Sequence, residues 1–252
     1  MKRTINVTIW NEYRHEKTDE NVRALYPEGI HAYLKSVLEC DDFNITLAAL
    51  DDPDQGLPDD VLNSTDVLIW WAHMYHWDVT EELADRIRDR VFAGMGLICL
   101  HSAHYSKVIQ KVVGMTGHLT WGDEVKEIVW NVAPTHPIAA GIPTHFILPK
   151  EEIYGEPFQI PEPDEQIFIG WYETGQVFRS GCTWRRGYGK VFYFQPGHET
   201  VPTFYNEYVQ RIIKNAIYWA APDHTEGYRI QYGSPYIGGD LVTEKEIGEF
   251  MP

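Results

Sequence analysis

Imidazole is the side chain best suited to bind a metal or move a proton near neutral pH, and this chain places its histidines unusually. His15 follows the apolar run Ile5–Trp10, His73 and His76 follow Val67–Trp71, His101 and His104 follow Gly96–Leu100, and His198 follows Val191–Phe194. With His136 and His145, which flank shorter apolar runs in a less regular region, eight of the eleven histidines associate with strand ends. In an open parallel sheet the carboxyl ends of the strands form one rim, where ligands bind. Imidazoles from four segments are therefore expected to meet in one cleft. Three neutral nitrogen ligands and an open position describe a catalytic zinc or a similar divalent ion, so His15, His73, His101 and His104 are the candidate metal ligands.

The segment Leu100-His101-Ser102-Ala103-His104 reads as a strand feeding sharply into a helix. That geometry puts Ser102 on an elbow near helix N-terminal amides, a candidate nucleophile, although a serine there also serves as a simple cap. The positive helix end is expected to hold His104 and His101 neutral. Gln195-Pro196-Gly197-His198-Glu199 supplies a second constellation, in which His198 and Glu199 act as base and orienting acid or as a cation site. Glu12, Trp71, His76 and Tyr154 are the candidates for substrate contact. Cys99 lies inside an apolar run and reads as core. Nine tryptophans include Trp70, Trp71, Trp77, Trp121 and Trp171 in or near strand ends, where rings either pack or stack on sugar faces.

The elements that must position these residues alternate in the first half. Strands are predicted over Ile5–Trp10, Phe43–Ala49, Val67–Trp71 and Leu97–Leu100. A helix carries Ile30, Tyr33, Leu34, Val37 and Leu38 on one face, with Pro27 in its first turn. Another helix is N-capped by Thr80 and buries Leu83, Ile87 and Val91. This order requires a mostly parallel sheet. In the second half, Val125–Val132, Gln166–Trp171, Gln176–Thr183 and Lys190–Phe194 are strand-like. A hairpin turn at Arg185–Gly189 adds antiparallel strands. A last helix spans about residues 204–219 with Val209, Ile212, Ile213 and Ile217 at helical spacing. The expected organisation is one α/β domain over residues 1–221 and a Gly- and Tyr-rich C-terminal extension over 222–252. That extension suits an exchanged arm in a homo-oligomer.

Composition narrows the function. The chain has 37 acidic and 21 basic residues, a formal net charge of −16, which repels phosphate backbones and anionic lipid heads. Nucleic acid and membrane surfaces are excluded as partners, leaving small molecules. No apolar stretch approaches the roughly 20 residues that cross a bilayer, and Met1-Lys2-Arg3 leads straight into a strand, so a cytoplasmic protein is expected. Three cysteines without CxxC spacing indicate neither a disulfide framework nor a thiolate zinc knot.

Taken in order, several short motifs resemble the ThuA family, named for trehalose utilisation. They are Trp10-Asn11-Glu12 with Arg14-His15-Glu16-Lys17, Tyr26-Pro27 with Gly29-Ile30-His31, Leu68-Ile69-Trp70-Trp71 with His73, and Gly94-Met95-Gly96-Leu97 with His101-Ser102. They continue through His136-Pro137-Ile138-Ala139, Glu151-Glu152 with Tyr154-Gly155-Glu156, Phe178-Arg179-Ser180-Gly181, and Phe192-Tyr193 with Pro196-Gly197-His198-Glu199. The resemblance implies a three-layer flavodoxin-like α/β fold of the class I glutamine amidotransferase type, and a role in disaccharide or keto-sugar catabolism. True class I amidotransferases place a cysteine at the elbow and a His-Pro-Glu segment after a later strand. Here Ser102 and Gly197-His198-Glu199 stand at those points, so glutamine hydrolysis is not expected.

Three readings follow. The first is a metal-dependent hydrolase, lyase or isomerase acting on a carbohydrate, with a divalent ion such as zinc as cofactor. The second is a sugar-binding protein on a degenerate amidotransferase scaffold. The third is a metal-free hydrolase using Ser102, His198 and Glu199.

Overall fold

Apolar runs without a polar face need covering on both sides, as strands at the centre of a parallel sheet do. In the computed structural model, which describes residues 4–222, such runs form β3 (Val67–Trp71), β4 (Gly96–Leu100) and β9 (Gly189–Phe194), buried along their whole length. They join β1 (Ile5–Asn11), β2 (Phe43–Ala49), β5 (Thr120–Asn131), β6 (His145–Gly155), β7 (Glu165–Tyr172) and β8 (Val177–Arg186) in one nine-stranded sheet, ordered β2-β1-β3-β4-β9-β8-β7-β5-β6. The five strands from β2 to β9 pair in parallel. From β9 through β8, β7 and β5 to β6 the pairing is antiparallel. The four first-half strands and β9 thus build the parallel part, and the other second-half strands the antiparallel part, with β9 belonging to both.

Helices cover both faces. On one side lie α3 (Ile30–Leu38) and α7 (Glu207–Ala220), whose Ile30, Leu34, Leu38, Val209, Ile212 and Ile213 pack against Val7, Ile9, Ile69 and Ile98. On the other lie α4 (Asp59–Ser64), α5 (Glu81–Phe92) and the single turn α6 (Lys107–Ile109), with Leu62, Leu83, Ile87 and Val91 against Leu68, Trp70 and Leu97. Each such side chain contributes about 1.5–3 kcal/mol on burial. Thr80 caps α5 by accepting from the Leu83 amide at 3.2 Å. Two short helices, α1 (His15–Thr18) and α2 (Glu20–Leu25), fill the crossover after β1. No helix among the described residues is long and apolar enough to cross a membrane. Beyond Pro222, the expected extension lies outside the described residues.

The structure differs from the sequence reading at two places near the histidines. No α-helix follows β4 directly; a 3₁₀ turn over His101–Tyr105 intervenes. The left-handed residue of that elbow is His101, at φ 56°, and not Ser102. Strand β6, absent from the sequence reading, pairs with β5 in a long ribbon interrupted by two irregularities, between Gly122 and Glu124 and between Val125 and Glu127.

Candidate metal centre

The pairing register brings the ends of four strands level. Asn11 stands opposite Trp71, Trp71 opposite Leu100, and Leu100 opposite Phe194. The chain therefore leaves β1, β3, β4 and β9 along one rim, carrying His15, His73, His101 and His198. The ring centres of His73, His101 and His198 form a near-equilateral triangle, with sides of 5.3, 5.1 and 5.1 Å. Imidazoles bound through Nε2 to one tetrahedral ion, at roughly 2.0–2.1 Å, have ring centres roughly 5 Å apart. Glu152 of β6 closes the group, its Oε2 at 3.3 Å from His101 Nε2. One donor atom from each of these four residues lies within 4.8 Å of the others.

Hydrogen bonds at the far side of each ring choose which nitrogen faces inward. His73 Nδ1 donates to Glu199 Oε1 at 2.8 Å, and His101 Nδ1 to the Gln195 carbonyl at 3.3 Å. His198 Nδ1 is 2.7 Å from Thr200 Oγ1, and that hydroxyl donates in turn to Glu124 Oε1 at 2.6 Å, so the threonine oxygen accepts from the imidazole. Three imidazoles from three loops thus leave Nε2 as the nitrogen open to a ligand, each with its Nδ1 tied to an acceptor, the outer-shell arrangement that fixes metal-binding histidines. His101 Nε2 and Glu152 Oε2 are both buried without a hydrogen-bond partner. Buried polar atoms lacking a partner are rare and costly, and coordination satisfies that need for a ligand atom. The residues present fit a divalent ion.

The electrostatics agree with that fit. Burial, reinforced by the neighbouring His198 and His73, drives the His101 imidazole well below its usual range, and burial also lowers His198 and His15. These rings are neutral at pH 7, as ligands must be. Burial lowers His73 as well, but the Glu199 hydrogen bond and the surrounding carboxylates outweigh it and the net shift is upward. Burial raises Glu199, yet the His73 hydrogen bond and charge bring it down to about 2. His73 and Glu199 thus favour each other's charged forms, and a cation held at His73 Nε2 would take the place of a proton there. Burial pushes Glu152 up to about 7.

Three further carboxylates hold the loops. Glu12 is fully buried and accepts from the Met74 and Tyr75 amides at 3.0 and 2.9 Å, fixing the loop that carries His73. Glu16 accepts from Asn11 Nδ2 at 2.7 Å and the Ile30 amide at 3.0 Å. Glu151 accepts from the amides of Glu152, Gly197 and His198 at 3.0, 3.0 and 3.1 Å and from the Thr203 hydroxyl at 2.6 Å.

The family model for trehalose utilisation, ThuA, matches residues 6–220. The chain belongs to the ThuA family. In fold it is similar to a ThuA-like protein from Parabacteroides merdae, with 15% identity over 89% of this chain and 93% of that one and a TM-score of 0.66. A ThuA-like protein from Bacteroides uniformis aligns at 18% identity over 87% and 92% of the two chains, TM-score 0.61. A glutamine amidotransferase from Thermotoga maritima aligns at 10% identity over 85% and 97%, TM-score 0.54, which places the ThuA chain among class I glutamine amidotransferase-like folds. No curated protein is significantly similar to it in sequence.

The residues anticipated from the ThuA sequence are redistributed by the structure. His73 and His101 come together, and they are joined by His198, anticipated as a base or as part of a cation site, and by Glu152, which was not among the anticipated site residues. His15 stands one step outward, its Nδ1 4.0 Å from Glu199 Oε1, in a second group of possible donors with His73 and Glu199. His104 is not in either group; its Nδ1 donates to the Gly117 carbonyl at 2.7 Å and burial takes it down to about 3. Burial, rather than a helix N-terminus, keeps it neutral. The Ser102 hydroxyl pairs with the Tyr154 hydroxyl and His198 with Thr200, so the Ser102–His198–Glu199 relay is not assembled.

Of the anticipated substrate contacts, His76 and Tyr154 line the cleft beside the cluster, a space of about 680 Å³. Glu12 and Trp71 do not. Glu12 is committed to backbone amides, and Trp71 lies fully buried beneath the site with its indole N–H on the Gly197 carbonyl at 3.0 Å. A side chain at the last position of a central strand still points into the core layer, which is why proximity to the rim misled.

Proposed function

We propose that the protein is a divalent-metal-dependent enzyme of carbohydrate metabolism, with His73, His101, His198 and Glu152 as the metal-binding set. The observation that carries this reading is the triangle of imidazoles, ring centres 5.1–5.3 Å apart, whose Nδ1 atoms are all engaged, with one donor atom from each of the four residues within 4.8 Å of the others. Membership of a family named for trehalose utilisation supports a role in sugar metabolism. Three imidazoles and one carboxylate suit zinc, manganese or nickel better than calcium or magnesium.

A bound ion supplies polarisation of a sugar carbonyl or hydroxyl. The protein's own groups do the rest. Glu152 Oε1, the oxygen not assigned to the ion, is the group that would exchange a proton with a carbon or oxygen of the substrate. The paired hydroxyls of Ser102 and Tyr154 in the cleft wall orient substrate hydroxyls. Hydrolysis, elimination and isomerisation of a keto-sugar all need this proton transfer beside a polarised oxygen. Glutamine hydrolysis needs a nucleophile at the elbow, where this chain has His101.

The test is elemental analysis of untagged protein purified without chelator, beside His101→Asn and His198→Ala. Asparagine tolerates the left-handed backbone at position 101, so that variant keeps the elbow. Near-stoichiometric metal in the parent and its loss in both folded variants is the expected result. A parent that takes up no zinc, manganese or nickel even on addition would end the proposal.

A further inference from the structure

The cleft that runs outward from the histidine cluster has a lining with two unusual properties. No lysine or arginine lines it among the described residues, whereas Asp123, Glu124 and Glu152 do. Its outer walls carry Trp77 and Trp121, 60% and 73% exposed, the latter the most exposed large hydrophobic side chain of the described residues. Met74, 61% exposed, adds to them, and exposed apolar surface rimmed by polar groups marks ligand-binding grooves where single exposed residues do not.

The positions of these rings are set by well-ordered elements. Trp121 stands opposite Tyr154, and Glu124 opposite Glu152, in the β5–β6 ladder. Directly opposed residues project on the same face of a sheet, so Trp121 lies beside Tyr154. Residues two apart on a strand are roughly 7 Å apart, which sets Trp121 about one pyranose ring outward from Glu152. Trp77 comes from the loop after β3. Its ring meets Tyr105 edge-on at 5.7 Å, Tyr105 meets His118 at 5.2 Å, and Lys107 holds the Trp77 carbonyl at 3.2 Å.

We propose that Trp77 and Trp121 form an outer subsite that stacks on the second ring of a neutral, unphosphorylated saccharide whose first ring sits at the histidine cluster. The faces of indole carry negative potential and attract the slightly positive C–H faces of a pyranose. Among the lining residues at this outer end are Asp123 and Glu124 but no lysine or arginine. Lys150 pairs with Glu124 at 3.6 Å and Lys107 with the Trp77 carbonyl, so phosphate and carboxylate substituents, which bind where arginine, lysine or helix N-termini converge, find no free cation among the described residues beside the second ring. The inference rests on the metal-centre reading only in taking the cluster as the reacting end of the cleft.

Calorimetric titration of the metal-replete full chain with glucose, trehalose, maltose and trehalose 6-phosphate tests it. A neutral disaccharide is expected to bind at least tenfold tighter than glucose. Trp121→Ala and Trp77→Ala, both at exposed positions, are each expected to weaken disaccharide binding about tenfold while leaving glucose binding and metal content unchanged. Trehalose 6-phosphate is expected to bind at least tenfold more weakly than trehalose, and Asp123→Lys to narrow that gap. Disaccharide affinities equal in parent and tryptophan variants, tighter binding of the phosphorylated sugar, or no binding of any neutral disaccharide would each overturn the subsite. Tryptophan-dependent disaccharide binding by a protein that holds no metal would keep the subsite and remove the metal reading instead.

Discussion

Glu127 offers a test of the buried electrostatics that is independent of any ligand. It lies on β5 without solvent exposure, and neither carboxyl oxygen has a hydrogen-bond partner. Its Oε1 sits over Gly170, 2.3 Å from where a β-carbon would be, so the glycine makes the space the carboxyl fills. Burial, with Glu151 adding to it, pushes the Glu127 pKa well above the ordinary 4.5. The native protein therefore keeps a proton that the unfolded chain gives up above pH 4.5, and stability falls as pH rises until the native carboxyl itself ionises. One such proton is worth about 1.4 kcal/mol per pH unit. A carboxyl still protonated at pH 7 thus costs about 3 kcal/mol relative to pH 4.5. Glu127→Gln keeps the shape and removes the titration. The variant is expected to match the parent near pH 4.5 and to exceed it by about 1–3 kcal/mol at pH 7–8. Glu151, which burial raises to about 7, tilts both profiles alike and cancels in the difference. Urea midpoints read at half-unit steps, with a shared m value, supply the measurement. A parent-to-variant difference that stays flat from pH 5 to pH 8 would refute the reasoning.

Two further outcomes are expected. Glu199→Gln weakens the bond that orients His73, 2.8 Å in the parent, and should lower metal affinity about 10–100-fold without changing stoichiometry, as read by competition with a chromophoric chelator; unchanged affinity would detach Glu199 from the centre. Gly117 has φ +73°, and a β-carbon there would lie 2.0 Å from the His104 carbonyl oxygen, so Gly117→Ala should cost about 2–4 kcal/mol. A melting temperature equal to the parent's would show that this segment can repack.

The parallel part of the fold was legible because its physics is local. Continuous apolar runs such as Leu97–Leu100, helical spacing in Leu83, Ile87 and Val91, and a cap such as Thr80 each follow from neighbouring residues alone. Histidines after those runs were legible for the same reason, since the register of a parallel sheet levels strand ends. Strand β6 was not. Its interior reads Leu148-Pro149-Lys150-Glu151-Glu152, a proline followed by three charges, which locally signals a loop. Proline is tolerated on an edge strand, and the two glutamates are buried because the site and the β9 loop receive them. Only partners distant in sequence explain that segment, so Glu152 was not among the anticipated site residues. One signal was available: Leu148 and Tyr154 flank the two glutamates with the alternation of a half-buried strand.

The location of the centre follows from how the two parts of the sheet meet. Four parallel strands supply the histidine loops, but the fourth member of the set comes from β6, at the far edge of the antiparallel part. Irregularities in a β-ribbon increase its local twist, and two of them lie in β5 alongside β6. The curled ribbon returns Glu151, Glu152 and Tyr154 to the rim, where Gln195 Nε2 meets the Glu152 carbonyl at 3.2 Å. The fold shared with a glutamine amidotransferase does not by itself specify chemistry. In this chain Glu12 and Glu151, each buried and each accepting amides from a histidine-bearing loop, hold those loops in place. Holding ligands by a rigid outer layer is what a metal centre requires, whereas a serine relay would need His198 free to turn toward Ser102. Its bond to Thr200, itself tied to Glu124, opposes that turn.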